Sequence, residues 1–136
     1  MQIKLISHLD SEDLSAAGRM YADAAWISAD DDFSFINSAL AGSFLAAGAF
    51  ENGRLIGMGR VLSDGVSDAY IQDVVVHPDY RNRGIGSAIV TFLVKELEKR
   101  GVDWIALVGE PGTEKFYSGL GLKAQAGYTL WKLQDS

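Results

Sequence analysis

The chain contains no cysteine and only two prolines. Without thiols it can form no disulfide and offers neither a cysteine nucleophile nor a thiolate metal ligand. Histidine is almost as scarce. His8 and His77 are the only two, neither has partners at ligand spacing, and no metal is assigned. No apolar run approaches the ~20 residues that a helix needs to span a bilayer. The opening Met1-Gln2-Ile3-Lys4-Leu5 lacks the basic-then-apolar layout of a signal peptide, so a cytoplasmic location without a membrane partner is expected. Positive charge is also short. The net charge of -6 is the reverse of a nucleic-acid surface, and no nucleic-acid partner is expected. An acidic surface is compatible with a cationic amine substrate and equally with an inert exterior.

What is present is ordinary for a soluble globular protein: 48% hydrophobic and 22% charged residues in 136. That length suits one domain, 1–136, with a real core. There is no internal repeat, low-complexity tract or linker.

Apolar periodicity outlines the elements. Ile3, Leu5 and Ile6 suggest a first strand. Asp10 or Ser11 can cap a helix whose apolar positions are Leu14, Ala17, Tyr21 and Ala25. A second short helix is expected from about Asp32, because Asp30-Asp31-Asp32 places negative charge at its positive end ahead of Phe33, Ile36 and Leu40. From Phe44 the pattern becomes that of strands. Residues 45–50 and 55–62 form a hairpin around Asn52-Gly53, a pair suited to positive φ angles. Asp64-Gly65 supplies another turn, and a strand from about Ala69 to Val76 ends at His77-Pro78. Residues 84–100 read as the strongest helix, with Ile85, Ile89, Phe92, Leu93 and Leu97 on one side and Gly101 as its stop. Val102 to Val108 follows as a strand, Thr113 to Ser118 as a short helix, and Leu122 to Leu133 as one or two closing strands. The strand–helix–strand unit requires parallel strands, whereas the hairpins require antiparallel ones. The expected fold is α/β (α+β): a mixed, mostly antiparallel sheet with helices on both faces.

Chemistry concentrates at Arg81-Asn82-Arg83-Gly84-Ile85-Gly86-Ser87, between a buried strand and the long helix. A glycine-rich turn at a helix start presents unpaired N–H groups, and Arg81 and Arg83 add positive charge: an arrangement for phosphate. The dinucleotide fingerprint wants a small residue where Ile89 stands. The nucleotide-triphosphate loop wants Gly-Lys-Ser/Thr, which is absent. Alone, such a loop is equally a structural helix start with solvated arginines.

The stretch from Tyr70 to Ser87 resembles the coenzyme-binding motif of the GCN5-related N-acetyltransferase (GNAT) superfamily, where Arg81, Gly84 and Gly86 match Arg/Gln-x-x-Gly-x-Gly/Ala. Phe116-Tyr117 and Gly121-Leu122 match the family's Phe-Tyr and Gly-Phe in order and spacing. The resemblance implies that acetyl-CoA is the co-substrate, its pyrophosphate on the loop Arg81 to Ser87 and its pantetheine arm along Val74, Val75 and Val76. This requires that strand to part from its parallel neighbour. It also implies that Tyr117, beside Phe116, donates a proton to the departing thiolate; the plainer alternative is a half-buried tyrosine packing the core. Asp73 interrupts an apolar strand and has two readings of equal standing, acceptor of the amine's proton or organiser of nearby backbone amides. The family's acceptor pocket lies under its first two helices, which here hold Tyr21, Trp26 and Phe33. These suit a cation by their π faces, or are simply core. One departure stands out: Glu110, before Pro111-Gly112, occupies the place of an asparagine that bonds pantetheine in many members.

The resulting expectation is an acetyl-CoA-dependent N-acetyltransferase acting on a primary amine of a small molecule or protein by direct attack in a ternary complex. The alternative is a non-catalytic acyl-CoA-binding or sensory module. A structural protein with an incidental anion site fits the paired motifs poorly. A homodimer through the closing strands is compatible with the sequence.

Overall fold

A computed structural model describes residues 1–134. Its order is β1 (Gln2–Leu5), α1 (Ser11–Asp23), α2 (Ser34–Gly42), β2 (Leu45–Glu51), β3 (Arg54–Ser63), β4 (Asp68–Val76), a 3₁₀ turn (Pro78–Tyr80), α3 (Ile85–Lys99), β5 (Trp104–Leu107) and α4 (Glu114–Ser118). The five strands form one sheet in sequence order, antiparallel throughout except for the parallel pair β4–β5. This is the mixed, mostly antiparallel sheet that the sequence suggested. Among the described residues no helix is long and apolar enough to cross a membrane.

Local chemistry accounts for most boundaries. The Asp10 carboxylate accepts the Asp13 N–H at 2.8 Å and opens α1. Asp32 accepts from Ser34 N–H at 2.9 Å just before α2. The β2–β3 turn carries positive φ at both Asn52 (51°) and Gly53 (77°), the backbone that the Asn-Gly pair favours. Gly101, with φ 80°, follows the end of α3. Ala25, grouped with the first helix by spacing, lies instead beyond its end, exposed and at φ 64°.

The sheet is covered on both faces. On one, Ile85, Ile89, Val90, Leu93 and Leu97 of α3 pack on Ala47, Ala49, Val61 and Ile71. On the other, Ala17, Met20 and Tyr21 of α1 and Ile36 and Leu40 of α2 pack on Ala46, Met58 and Val75. Glycines let α3 approach β3 closely. A Cβ on Gly57 would lie 3.0 Å from Ile89 Cδ1, and one on Gly59 would lie 3.1 Å from Ile89 Cγ2. That approach fixes where the N-terminus of α3 arrives beside β4.

One expectation fails. Residues 122–134 form no strand. The chain is held as far as Leu122, whose N–H bonds the Tyr117 carbonyl at 3.2 Å. Beyond it, Tyr128 (85% exposed), Leu130 (68%), Trp131 (89%) and Leu133 (92%) project from the sheet. The physical reason is that a strand needs an edge to pair with, and this segment does not lie on one of its own.

Leu93 of α3 is fully buried against the sheet. Leu93→Ala should lower the unfolding free energy by about 2–5 kcal/mol, the usual cost of a core leucine and its cavity, in urea titrations followed by circular dichroism.

Candidate active site

β4 pairs with β5 only from Asp68 to Ile71, opposite Trp104 to Leu107. Beyond Ile71 it keeps β3 on one side, through Gln72, Val75 and Val76, while its other edge opens. A cavity of about 820 Å³ occupies the opening. Asp73, Val74, Val75 and Val76 form one wall, Arg81, Asn82, Gly84, Ile85, Gly86 and Ser87 the end, and Val108, Glu110, Thr113, Phe116 and Tyr117 the wall opposite. Such a volume is typical of ligand sites.

The end wall is an uncapped helix start. Asn82 (φ 63°) and Gly84 (φ 76°) both turn into the left-handed region, which reverses the chain and delivers it into α3. The first helical bond runs from Ala88 N–H to the Gly84 carbonyl, and no side chain caps the turn. The N–H groups of Ile85, Gly86 and Ser87 thus sit at the positive end of the helix without an intrahelical acceptor. A Cβ on Gly86 would lie 3.4 Å from the Phe116 ring, so this position borders both the loop and α4. Arg81 Nε reaches back to the Val76 carbonyl at 3.4 Å. Arg83 lies over the Tyr80 ring, 5.1 Å from its centre, and is not among the lining residues.

Tyr117 is placed by α4, with its N–H on the Thr113 carbonyl at 3.1 Å and its ring against Phe116, edge to face with centroids 4.9 Å apart. Burial raises its phenol above the ordinary value, and the nearby Glu110 carboxylate pushes the same way. The hydroxyl therefore stays protonated across the neutral range.

Asp73 sits at a bulge. Gln72 faces Arg60 and Val75 faces Met58, so Asp73 and Val74 oppose Gly59 alone, and Asp73 takes φ 54°. Its Oδ2 accepts from Arg60 Nε at 2.7 Å and from the Tyr21 hydroxyl at 3.1 Å. Burial raises the Tyr21 phenol, with the Asp73 carboxylate adding to the effect, so Tyr21 is a lasting donor. Arg60 did not figure in the sequence reading. Its signal was available, since a charged side chain inside the apolar run Leu55–Leu62 calls for a partner.

Of the aromatic residues expected at the acceptor pocket, Trp26 lines the cavity and Tyr21 and Phe33 do not. Trp26 lines the cavity and donates its indole N–H to Glu110 Oε1 at 3.1 Å, joining the α1–α2 connection to the β5–α4 loop. Tyr21 is not a lining residue, but its hydroxyl bonds Asp73 at 3.1 Å and its ring meets Trp26 edge to face, with centroids 5.3 Å apart. The Phe33 ring lies against Gly18, away from the lining residues. Asp23, beside Trp26 in the wall, went unremarked in the sequence; with Asp73 and Glu110 it makes that part of the cavity acidic.

Known proteins are similar to this chain in both sequence and shape. An uncharacterised N-acetyltransferase of Prochlorococcus marinus is 32% identical over 90 residues, covering 63% of this chain and 50% of that protein. A histone acetyltransferase of Glycine max is 39% identical over 74 residues, covering 54% of this chain and 32% of that one. The chain thus spans half or less of the length of these relatives. Among solved structures, a GNAT family acetyltransferase of Streptococcus pneumoniae superposes with a TM-score of 0.78 at 21% identity, over 98% of each chain, which establishes the shared fold. The acetyltransferase (GNAT) family model matches residues 6–122, and the chain belongs to that family.

Proposed function

We propose that this chain is an N-acetyltransferase that moves the acetyl group of acetyl-CoA to a primary amine in a ternary complex. The observation that carries the reading is the parting of β4 from β5 beside the uncapped start of α3, with Tyr117 on the facing wall. A coenzyme with a pyrophosphate and an extended, amide-bearing arm fits these surfaces. The loop amides of Ile85, Gly86 and Ser87, with Arg81 and Asn82, would hold the pyrophosphate. Val74, Val75 and Val76 would receive the arm along their open edge, and Phe116 would border it.

The coenzyme supplies the acetyl group as a reactive thioester. A free N–H near Val75 or Val76 would stabilise negative charge developing on the acyl oxygen. Asp73, acting directly or through water, would accept the proton that the amine loses, while Arg60 and Tyr21 hold its carboxylate in place. The Tyr117 hydroxyl would give its proton to the sulfur as the carbon–sulfur bond breaks and the amide forms. No metal enters this scheme. The acidic end formed by Asp23, Asp73 and Glu110, with the Trp26 ring, favours a cationic acceptor on a small molecule or protein. The proposed partners are that acceptor and a second copy of the chain, in the cytoplasm, with neither nucleic acid nor membrane involved.

Calorimetric titration with acetyl-CoA should show saturable binding. Gly84→Glu or Gly86→Glu should abolish it, because each puts bulk and like charge into the phosphate cradle. Undiminished binding by both variants would remove the loop from the site. Tyr117→Phe should lower kcat about 10²–10⁴-fold, the usual worth of a positioned proton donor, with coenzyme affinity little changed. A binding or sensory module would show no turnover to lose. Since its phenol is raised above the ordinary 10.0, the alkaline loss of kcat that reports Tyr117 should fall above pH 10 and vanish in Tyr117→Phe.

A further inference from the structure

The connection between α1 and α2, residues 24–33, is tied to the far side of the cavity at one polar point. Its backbone bonds run to the flanking helices or stay within it: Ala25 N–H to the Ala22 carbonyl at 2.9 Å, Trp26 N–H to the Tyr21 carbonyl at 3.1 Å, and Asp31 N–H to the Ser28 carbonyl at 3.1 Å. Its side-chain bonds are equally local, joining Ser28 to Asp30 and Asp31, and Asp32 to Ser34. Among the described residues the exception is the Trp26 indole N–H on Glu110 Oε1, 3.1 Å long and 84 positions apart in sequence.

The end of α1 aims that indole. The bonds of Ala25 to Ala22 and of Trp26 to Tyr21 make the two-bond cap in which a left-handed residue follows a helix. Glycine is the usual residue there. Ala25 holds the position at φ 64°, a strained conformation for a residue with a Cβ. The Trp26 ring then rests edge to face on Tyr21, whose hydroxyl bonds Asp73, so the Trp26–Glu110 bond lies at the Asp73 end of the cavity. Glu110 is the fixed partner, because its carbonyl accepts the Thr113 N–H at 3.2 Å ahead of α4. A strained joint, a segment with local bonds only and one exposed catch are properties of a lid that opens at low cost.

The catch is also chemically replaceable. The Asp73 carboxylate is paired with Arg60 at 2.7 Å, whereas Glu110 holds a neutral donor and has no cationic partner among the described residues. An ammonium makes a stronger, charge-assisted bond to a carboxylate than an indole N–H does. We propose that Trp26 and Glu110 form a latch that the acceptor amine opens: its ammonium takes the Glu110 carboxylate from the indole, and the α1–α2 connection swings at Ala25 to admit it. The proposal rests on the cationic acceptor inferred above. It makes Glu110 the residue that recognises the charge of the arriving amine, and Trp26 the neutral donor that occupies the carboxylate until then.

Trp26 can be followed alone. Replacing the exposed Trp104 and Trp131 by Phe leaves it as the single tryptophan. In that background Glu110→Ala should raise the acrylamide quenching constant of Trp26 and shift its emission to the red. Glu110→Gln, which keeps an acceptor oxygen, should leave both as in the parent, and far-ultraviolet circular dichroism should match throughout. Butylammonium chloride should move the parent toward the Glu110→Ala values, whereas sodium chloride of equal ionic strength should not. Glu110→Gln should not respond to the amine, because the carboxylate that an ammonium prefers is gone. Three results would overturn the proposal: a Trp26 as shielded in Glu110→Ala as in the parent, a parent that ignores butylammonium, or a Glu110→Gln variant that responds as the parent does. Thiol release from acetyl-CoA with butylamine tests acetyl transfer separately. Its absence beside the expected quenching would remove the transfer and keep the latch.

Discussion

Everything at this site depends on β4 being paired on one side only beyond Ile71. A strand interior to a sheet has its backbone groups consumed on both edges, and a strand at the rim has one edge open along its whole length. β4 combines the two states. Its first half is fixed between β3 and β5, and its second half presents free backbone to a cavity. The rigid half holds the open half in register, so polar backbone groups are available without the mobility of a loop. α3 then enters at the mouth of the gap, because Gly57 and Gly59 let Ile89 lie close on β3. The result places unpaired amides of a helix start and unpaired amides of a strand along one continuous wall.

The polar side chains around that wall are arranged by distant partners. Asp73 would be an isolated carboxylate in an apolar strand were it not held by Arg60 from β3 and Tyr21 from α1. The bulge that gives Asp73 its positive φ also turns it to meet both. Trp26 and Glu110 join two connections that approach the cavity from opposite sides. Glu110 thereby supplies a carboxylate that accepts from an indole and raises the Tyr117 phenol. The carboxylate adds negative charge beside Tyr117, on the wall facing β4.

Features set by neighbours in sequence were legible. The Asn52-Gly53 hairpin, the cap at Asp10, the stop at Gly101 and the glycine turn into α3 all follow from propensities within a few residues. The parting of β4 was legible only as what the family resemblance implies. Pairings across the fold were not legible. Arg60 meets Asp73 across 13 positions, Tyr21 meets it across 52, and Trp26 meets Glu110 across 84. Each depends on register and helix placement that no local pattern encodes. The segment after Leu122 shows the limit from the other side. Its composition is that of a strand, but a strand forms only against an edge, and the edge is not specified by the segment itself.

The most direct test of the account is amide hydrogen exchange with and without coenzyme A. Binding should slow exchange at Val74, Val75 and Val76 together with Ile85, Gly86 and Ser87, while ADP should protect the helix start alone. Saturable coenzyme binding that leaves both stretches unprotected would contradict the claim that the opened strand and the uncapped helix form one site.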